Sequence, residues 1–223
     1  MKTKALVAEF IGTFTLIFVG VGAICSDVMT GHMLGLTGIA LAHGLAIGVM
    51  VSATAAVSGG HLNPAVTFGA LVAKKIDPLN GIGYIVAQCL GGILAAYVIT
   101  LAIPEQVLNA TAYGTPVVTK GITTSQALVT EIVLTFFLVF VVFGTAIDKR
   151  APKVGGLFIG LAVAMGVMMG GGISGAAMNP ARHLGPALLG GGFENTWLYW
   201  VGPLIGGGLA ALVYKYTLEE KEG

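Results

Sequence analysis

Charge is what this chain lacks most. Of its 223 residues, 11 are Lys or Arg and 10 are Asp or Glu, so 9% are charged. An ordinary soluble domain carries about 25%. A water-facing surface cannot be built from so few. With 56% hydrophobic residues and a mean hydropathy of +0.91, the composition is that of an integral membrane protein. A net charge of +1 removes the electrostatic basis for a nucleic-acid partner. Cysteine is equally scarce. Cys25 and Cys89 both lie in apolar runs without metal or redox spacing, so they read as buried thiols and imply no redox compartment. No Ser/His, paired-Asp or His-x-x-x-His pattern supports an intramembrane enzyme, and no cofactor site is expected. Nor is a cleavable signal evident. Met1-Lys2-Thr3-Lys4 leads into an apolar stretch, Ala5 to Cys25, that contains Glu9 and is long enough to span.

Glycine is the residue in excess, at 35 copies, about twice the usual share of roughly 7%. It sits inside apolar segments and recurs in Gly-Gly pairs. In membranes, small residues let helices approach closely.

Six long apolar segments follow, near 5–25, 34–57, 81–103, 126–147, 154–172 and 196–216. Each is close to the roughly 20 residues that cross about 30 Å of hydrocarbon. Two shorter apolar stretches, near 63–73 and 179–189, both begin with Asn-Pro. With both termini cytoplasmic, Lys2, Lys4, Lys74, Lys75, Lys149, Arg150, Lys153, Lys215 and Lys221 fall inside, and Lys120 and Arg182 fall elsewhere. That is a strong positive-inside bias.

The chain repeats itself. Glu9-x-x-x-Thr13-Phe14 matches Glu131-x-x-x-Thr135-Phe136. Ser58-Gly59-Gly60-His61-Leu62-Asn63-Pro64-Ala65 matches Ser174-Gly175-Ala176-Ala177-Met178-Asn179-Pro180-Ala181. Tyr84, Gly91 and Gly92 match Tyr199, Gly206 and Gly207. With three spans per half, the second copy enters from the opposite face. An inverted repeat of this kind, approximately 1–110 and 120–223 within a single domain over 1–223, places a solute path between the halves.

Proline is favourable at the first helical position, where its missing N–H would be unpaired anyway, and Asn is a good N-cap. Asn63-Pro64-Ala65 and Asn179-Pro180-Ala181 therefore predict the starts of two short helices. Entering from opposite faces, their N-termini meet near mid-membrane. The Ser-Gly-Gly and Ser-Gly-Ala segments before them are irregular backbone, tolerated at that depth only inside protein or along a wet cavity. Their carbonyls would line that cavity as acceptors, and the two Asn amides would supply donors. Two helix N-termini aimed at one point repel cations and protons but pass neutral solutes.

At these residues the chain resembles the aquaporin, or major intrinsic protein, family. Gly60-His61-Leu62-Asn63-Pro64-Ala65-Val66-Thr67 and Met178-Asn179-Pro180-Ala181-Arg182 carry the resemblance, which extends over nearly the whole chain. It implies an all-α membrane protein of six transmembrane helices and two re-entrant half-helices, one pore per subunit, in a homotetramer. Its function would be passive passage of water, with ammonia or other small neutral solutes as further cargo, excluding ions. A glycerol-like facilitator and a secondary transporter are the alternatives. No Asp follows Asn179-Pro180-Ala181-Arg182, and Asn63 and Asn179 are neutral, which speaks against each in turn.

The resemblance also assigns roles. Glu9 and Glu131, costly inside a span unless partnered, would brace the two irregular loops, with His61 beside Glu9. Read without it, they are helix-packing contacts. His43, Val167, Ala176 and Arg182 would form the selectivity filter. A lone His in an apolar helix is otherwise an ordinary core residue, and Arg182 could instead pair with an acid such as Glu194. A histidine in the second span with a small apolar residue in the fifth resembles tonoplast-type members. Leu16, Ile47, Leu138 and Val163 are candidates for an apolar pore wall, with lipid-facing or core packing as the alternative. His183 has no assigned task. His32 is expected in an exposed loop. Asn109-Ala110-Thr111 is a sequon expected in an outside loop. The short tails favour a prokaryotic inner membrane.

Overall fold

Prolines and their capping partners set where several helices begin. Asn63 has extended backbone and accepts from the Ala65 N–H through its side chain, with Pro64 at the first helical position. Asn179 does the same for Ala181 and Arg182 ahead of Pro180. Asp77 caps a third start before Pro78. Thr123 and Gln126 close a reciprocal capping box at a fourth. In each case the side-chain oxygen takes an N–H that the first turn leaves without a partner.

A computed structural model describes residues 3–151 and 153–220. Lys2 and Lys221 of the orientation argument lie outside the described residues. Six long helices result: α1 (Thr3–Met29), α2 (Gly35–Ser58), α4 (Pro78–Ala102), α6 (Thr124–Val142), α7 (Gly155–Gly170) and α9 (Leu198–Val213). Between them lie the short helices α3 (Pro64–Val72), α5 (Glu105–Ala110) and α8 (Pro180–Pro186). No strand occurs among the described residues. Four segments, Thr3–Met29, Gly35–Ser58, Pro78–Ala102 and Thr124–Ile147, are long and apolar enough to cross a membrane by themselves. Helices α6, α8 and α9 each run on into a single wider turn, over Phe143–Ile147, Ala187–Gly191 and Tyr214–Leu218. The sequon lies in the connection between α4 and α6, where Asn109 is exposed on the short helix α5 and the Thr111 hydroxyl donates back to Val107 O and Leu108 O.

Glycine sets how closely the helices cross, and it does so in matched pairs. A Cβ added at Gly91 would lie 2.3 Å from Phe10 O on α1, and one at Gly206 would lie 2.2 Å from Ile132 O on α6. The next residues reach across to the other half. Gly92 faces Ala181 O at the start of α8, and Gly207 faces Ala65 O at the start of α3, each at 2.7 Å from an added Cβ. Each half's third long helix thus makes room for the other half's short helix. Gly44 on α2 and Gly160 on α7 face each other's carbonyl oxygens at 2.6 and 2.4 Å in the same sense. Small-residue contact is the packing expected where no hydrophobic force draws helices together.

At one end of the molecule, the segments after α3, after α6 and after α9 converge. Lys75 pairs with Glu219, Lys215 Nζ donates to Ala73 O at 3.0 Å, and Arg150 Nη2 donates to Leu218 O at 2.9 Å. Many of the basic residues counted in the orientation argument lie there.

Candidate functional site

The irregular loops are built around two buried carboxylates. Glu9 accepts from Ser58 Oγ at 2.6 Å, His61 N at 2.9 Å, Leu62 N at 2.6 Å and Gln88 Nε2 at 2.8 Å. Glu131 accepts from Ser174 Oγ at 2.7 Å, Ala177 N at 2.9 Å and Met178 N at 2.7 Å. Both are fully buried. A carboxylate is the side chain that accepts from several donors at once. The backbone they hold is unusual. Gly59, Gly60 and Leu62 have positive φ in the first loop, and Gly175, Ala176 and Met178 in the second. A left-handed conformation is costly for Leu, Ala and Met, so it must be held by its surroundings. The hydrogen bonds to Glu9 and Glu131 do that. The glycine pattern hints at such loops, but not at Leu62, Ala176 and Met178.

The two short helices meet end to end. Asn63 Nδ2 donates to Met178 O at 2.8 Å, and Asn179 Nδ2 donates to Leu62 O at 3.0 Å. Each bond uses one of the amide's two N–H groups. Tyr84 and Tyr199 take the carbonyls of Ser58 and Ser174 at 2.9 and 2.8 Å.

A narrow cavity of about 30 Å³ runs between the halves. A water needs about 10–15 Å³ on that measure, so the space suits small molecules in single file. All four filter residues named from the sequence, His43, Val167, Ala176 and Arg182, line it. So do Asn63, Asn179 and His61, and the four pore-wall candidates Leu16, Ile47, Leu138 and Val163. Pro64, Ala65, Pro180 and Ala181 are buried in the short helices and do not line it. Sequence reasoning missed Val51, Val142 and Ile159, which also line the cavity. The repeat register carries a signal for Val51: the register that pairs Asn63 with Asn179 pairs Val51 with Val167.

Arg182 is 4% exposed, and Glu194 is not among its partners. It donates instead through Nη1 to Gly114 O at 2.8 Å and through Nε to His43 Nε2 at 3.3 Å. The Gly114 carbonyl is presented by a turn in which Ala112, Tyr113 and Gly114 all have positive φ. His43 Nδ1 lies 2.8 Å from Ile39 O, a carbonyl that can only accept. Nδ1 therefore carries the ring proton, and Nε2 is free to accept from Arg182. This network assigns His43 as the neutral Nδ1–H tautomer. His61 is held by its backbone N–H on Glu9, while its ring reaches Thr67 Oγ1 at 3.1 Å. His183 lies outside the cavity, fully buried, with its ring stacked on Tyr199 at 4.3 Å. His32 is exposed and paired with Asp27. Cys25 is buried and Cys89 half-buried.

Six long helices, two half-helices joined tip to tip and a narrow polar-and-apolar cavity between them define an integral, multi-pass membrane protein. The chain belongs to the major intrinsic protein family, whose profile matches residues 1–214. Among its relatives is the "Probable aquaporin TIP3-2" of Arabidopsis thaliana, 44% identical, with 96% of this chain and 84% of the relative covered. Another is the "Aquaporin TIP2-3" of Zea mays, 46% identical over 95% of this chain and 86% of the relative. The fold is similar to that of the solved aquaglyceroporin from Plasmodium falciparum, with a TM-score of 0.87 and 24% identity, covering 98% of this chain and 97% of that one. These plant relatives lend no support to the prokaryotic inner membrane expected from the short tails.

Proposed function

We propose that the chain is a passive transmembrane channel for water, with ammonia or other small neutral solutes as further cargo, and that it excludes ions and protons. The observation that carries this reading is the single narrow cavity shared by the crossed Asn63–Asn179 pair and the His43–Arg182 contact. The relatives' printed names as aquaporins favour water. Arg182, held on two sides, uses two of its five N–H groups and keeps donors for a passing solute. Its fixed charge and the two helix N-termini oppose cations. With His43 neutral, the filter gains no second fixed charge and can admit a neutral amine. In this reading His43, Val167, Ala176 and Arg182 are the filter, and Asn63 and Asn179 orient solute at the middle. Glu9, Glu131 and the His61 backbone brace the loops, and Leu16, Ile47, Leu138 and Val163 form the apolar wall. The halves act as inverted repeats of one domain, both termini face the cytoplasm, and subunits assemble as homotetramers.

Stopped-flow swelling of proteoliposomes tests it. Osmotic water permeability rises well above that of empty vesicles, ammonia entry read by an internal pH dye rises with it, and proton leak does not. Water permeability equal to that of empty vesicles overturns the proposal.

A further inference from the structure

The two halves line the cavity from matching helix positions but with different side chains at one level. The register that pairs Leu16 with Leu138 pairs Gly20 with Val142. The register that pairs Asn63 with Asn179 pairs His43 with Ile159. Val142 and Ile159 both line the cavity, and so does His43. Gly20 has no side chain to offer. A Cβ built there would lie 2.4 Å from His43 Nε2, 2.7 Å from Cδ2 and 2.9 Å from Cε1. The imidazole of one half therefore takes up space at the position that a valine side chain occupies in the other.

The contact falls on the atom that matters. Nε2 is the part of the ring nearest the missing Cβ, and it is also the acceptor for Arg182 Nε at 3.3 Å. The opposite edge of the ring is tied to Ile39 O through Nδ1. A side chain at position 20 cannot be absorbed by a free rotation without breaking one of these bonds. The ring would move toward the cavity, and Arg182 would lose one of its two anchors. Interiors are close-packed, and an added methyl is felt by its neighbours.

We propose that Gly20 is a positioning residue that sets the specificity of the constriction: its bare backbone is the socket that holds the His43 ring against α1, keeps Nε2 on Arg182 and fixes the open bore. This inference rests on the channel reading above.

Proteoliposomes carrying Gly20→Ala, Gly20→Val/His43→Ile and the control Gly22→Ala test it. An added Cβ at Gly22 would meet only Ile99 Cδ1, at an ordinary 3.9 Å. Gly20→Ala lowers water permeability about tenfold, the scale of a strained contact of a little over 1 kcal/mol placed in the path. It also changes the ratio of ammonia to water permeability, which helix loosening alone would not do. Gly22→Ala behaves as wild type. Gly20→Val/His43→Ile copies the Val142 and Ile159 pair of the other half. It recovers water flux without recovering the wild-type ammonia ratio. Wild-type flux and ratio in Gly20→Ala overturn the inference, as does a double variant no better than Gly20→Ala. If Gly20→Ala fails to fold, a folded, conducting double variant still assigns the space to the imidazole. Failure of both to fold makes Gly20 a packing residue only and overturns the inference. Wild-type vesicles no more permeable than empty ones would instead defeat the channel reading itself.

Discussion

Asn63 and Asn179 each hold the other's loop in place. The amide of Asn63 donates to the carbonyl just before Asn179, and the amide of Asn179 donates to the carbonyl just before Asn63. Each side-chain oxygen meanwhile caps its own helix. One residue type thus performs a local task, starting a helix, and a long-range one, joining two half-helices at their tips. The Glu9 and Glu131 carboxylates then fix the loops from behind, so the tips cannot separate without breaking bonds on both sides.

The Asn pair predicts an ordered loss of stability. Asn179→Ala removes a cap on two N–H groups, Ala181 and Arg182, and strips Leu62 O of its donor. Losing a cap costs about 1 kcal/mol and orphaning a buried carbonyl about 1–3 kcal/mol, so the total is about 2–4 kcal/mol. Asn63→Ala removes a cap on only one N–H, that of Ala65, and costs less. Thermal unfolding in one detergent gives the order wild type, Asn63→Ala, Asn179→Ala. Equal Tm for the two variants would show that the second cap bond contributes nothing.

The carboxylates predict loop-specific effects. Glu9→Gln keeps the shape but turns an NH₂ group toward donors that converge on both carboxylate oxygens. At least one buried N–H or O–H loses its acceptor, a cost of about 3 kcal/mol where the bond was to a charged group. Hydrogen exchange should rise over residues 58–62 and stay near wild type over 174–178. Glu131→Gln gives the converse. Equal rises in both loops from either variant would contradict separate bracing.

How much of this was legible depends on the range of the signal. The Asn-Pro helix starts are written in adjacent residues, and the structure has helices beginning at Pro64 and Pro180. The intramembrane carboxylates stand out because charge is so rare in this chain. Val51, Val142 and Ile159 were not legible, because a helix apolar on every side has no stripe to separate a cavity face from a lipid face. The repeat register marks Val51 through Val167 and Ile159 through His43, but it pairs Val142 with Gly20 and gives no signal there. One of the two partners of Arg182 could not be read at all. It is a backbone carbonyl, that of Gly114, carried by a turn whose left-handed Ala112 and Tyr113 no propensity predicts. Glu194, the plausible partner by charge, is not used.

His183 explains itself through the same register. It stands at the position of Thr67, and Ala177 stands at the position of His61. In the first half the His61 ring meets Tyr84 edge-on at 5.3 Å, and in the second the His183 ring stacks on Tyr199 at 4.3 Å. An imidazole thus contacts the equivalent tyrosine in both halves, supplied from different positions. Neither ring nitrogen of His183 has a partner among the described residues, so its contribution is packing. His183→Ala costs about 2–3 kcal/mol, below the value for a larger buried aromatic. Water permeability per folded protein stays at the wild-type level, because the ring does not line the cavity. Ala177→His/His183→Thr copies the first half and regains part of the lost Tm. A double variant no more stable than His183→Ala would reject the exchange.

The end of the molecule where the basic residues gather makes a prediction in pH. Asp148 accepts from Arg150 Nη2 at 2.6 Å, from Arg150 Nε and backbone N at 2.9 Å each, and from the Tyr214 hydroxyl at 2.8 Å. The Arg150 side chain, above all, holds the Asp148 carboxyl far below its ordinary 3.8. Arg150 also reaches Leu218 O and Glu220, so Asp148 indirectly ties down the segment after α9. A carboxyl with a depressed folded pKa adds stability that is complete above its unfolded value and fades as pH falls through the folded one. The tie is therefore intact from pH 7 down to about 5, weakens below about 4, and weakens further in high salt because Arg150 is half-exposed. Asp148→Asn removes the titrating group. Hydrogen exchange over residues 214–220, corrected for intrinsic rate, should be faster in Asp148→Asn than in wild type at pH 6. The gap should narrow as pH drops toward 3. A gap that stays constant across that range would mean that the Asp148 charge does not hold the segment.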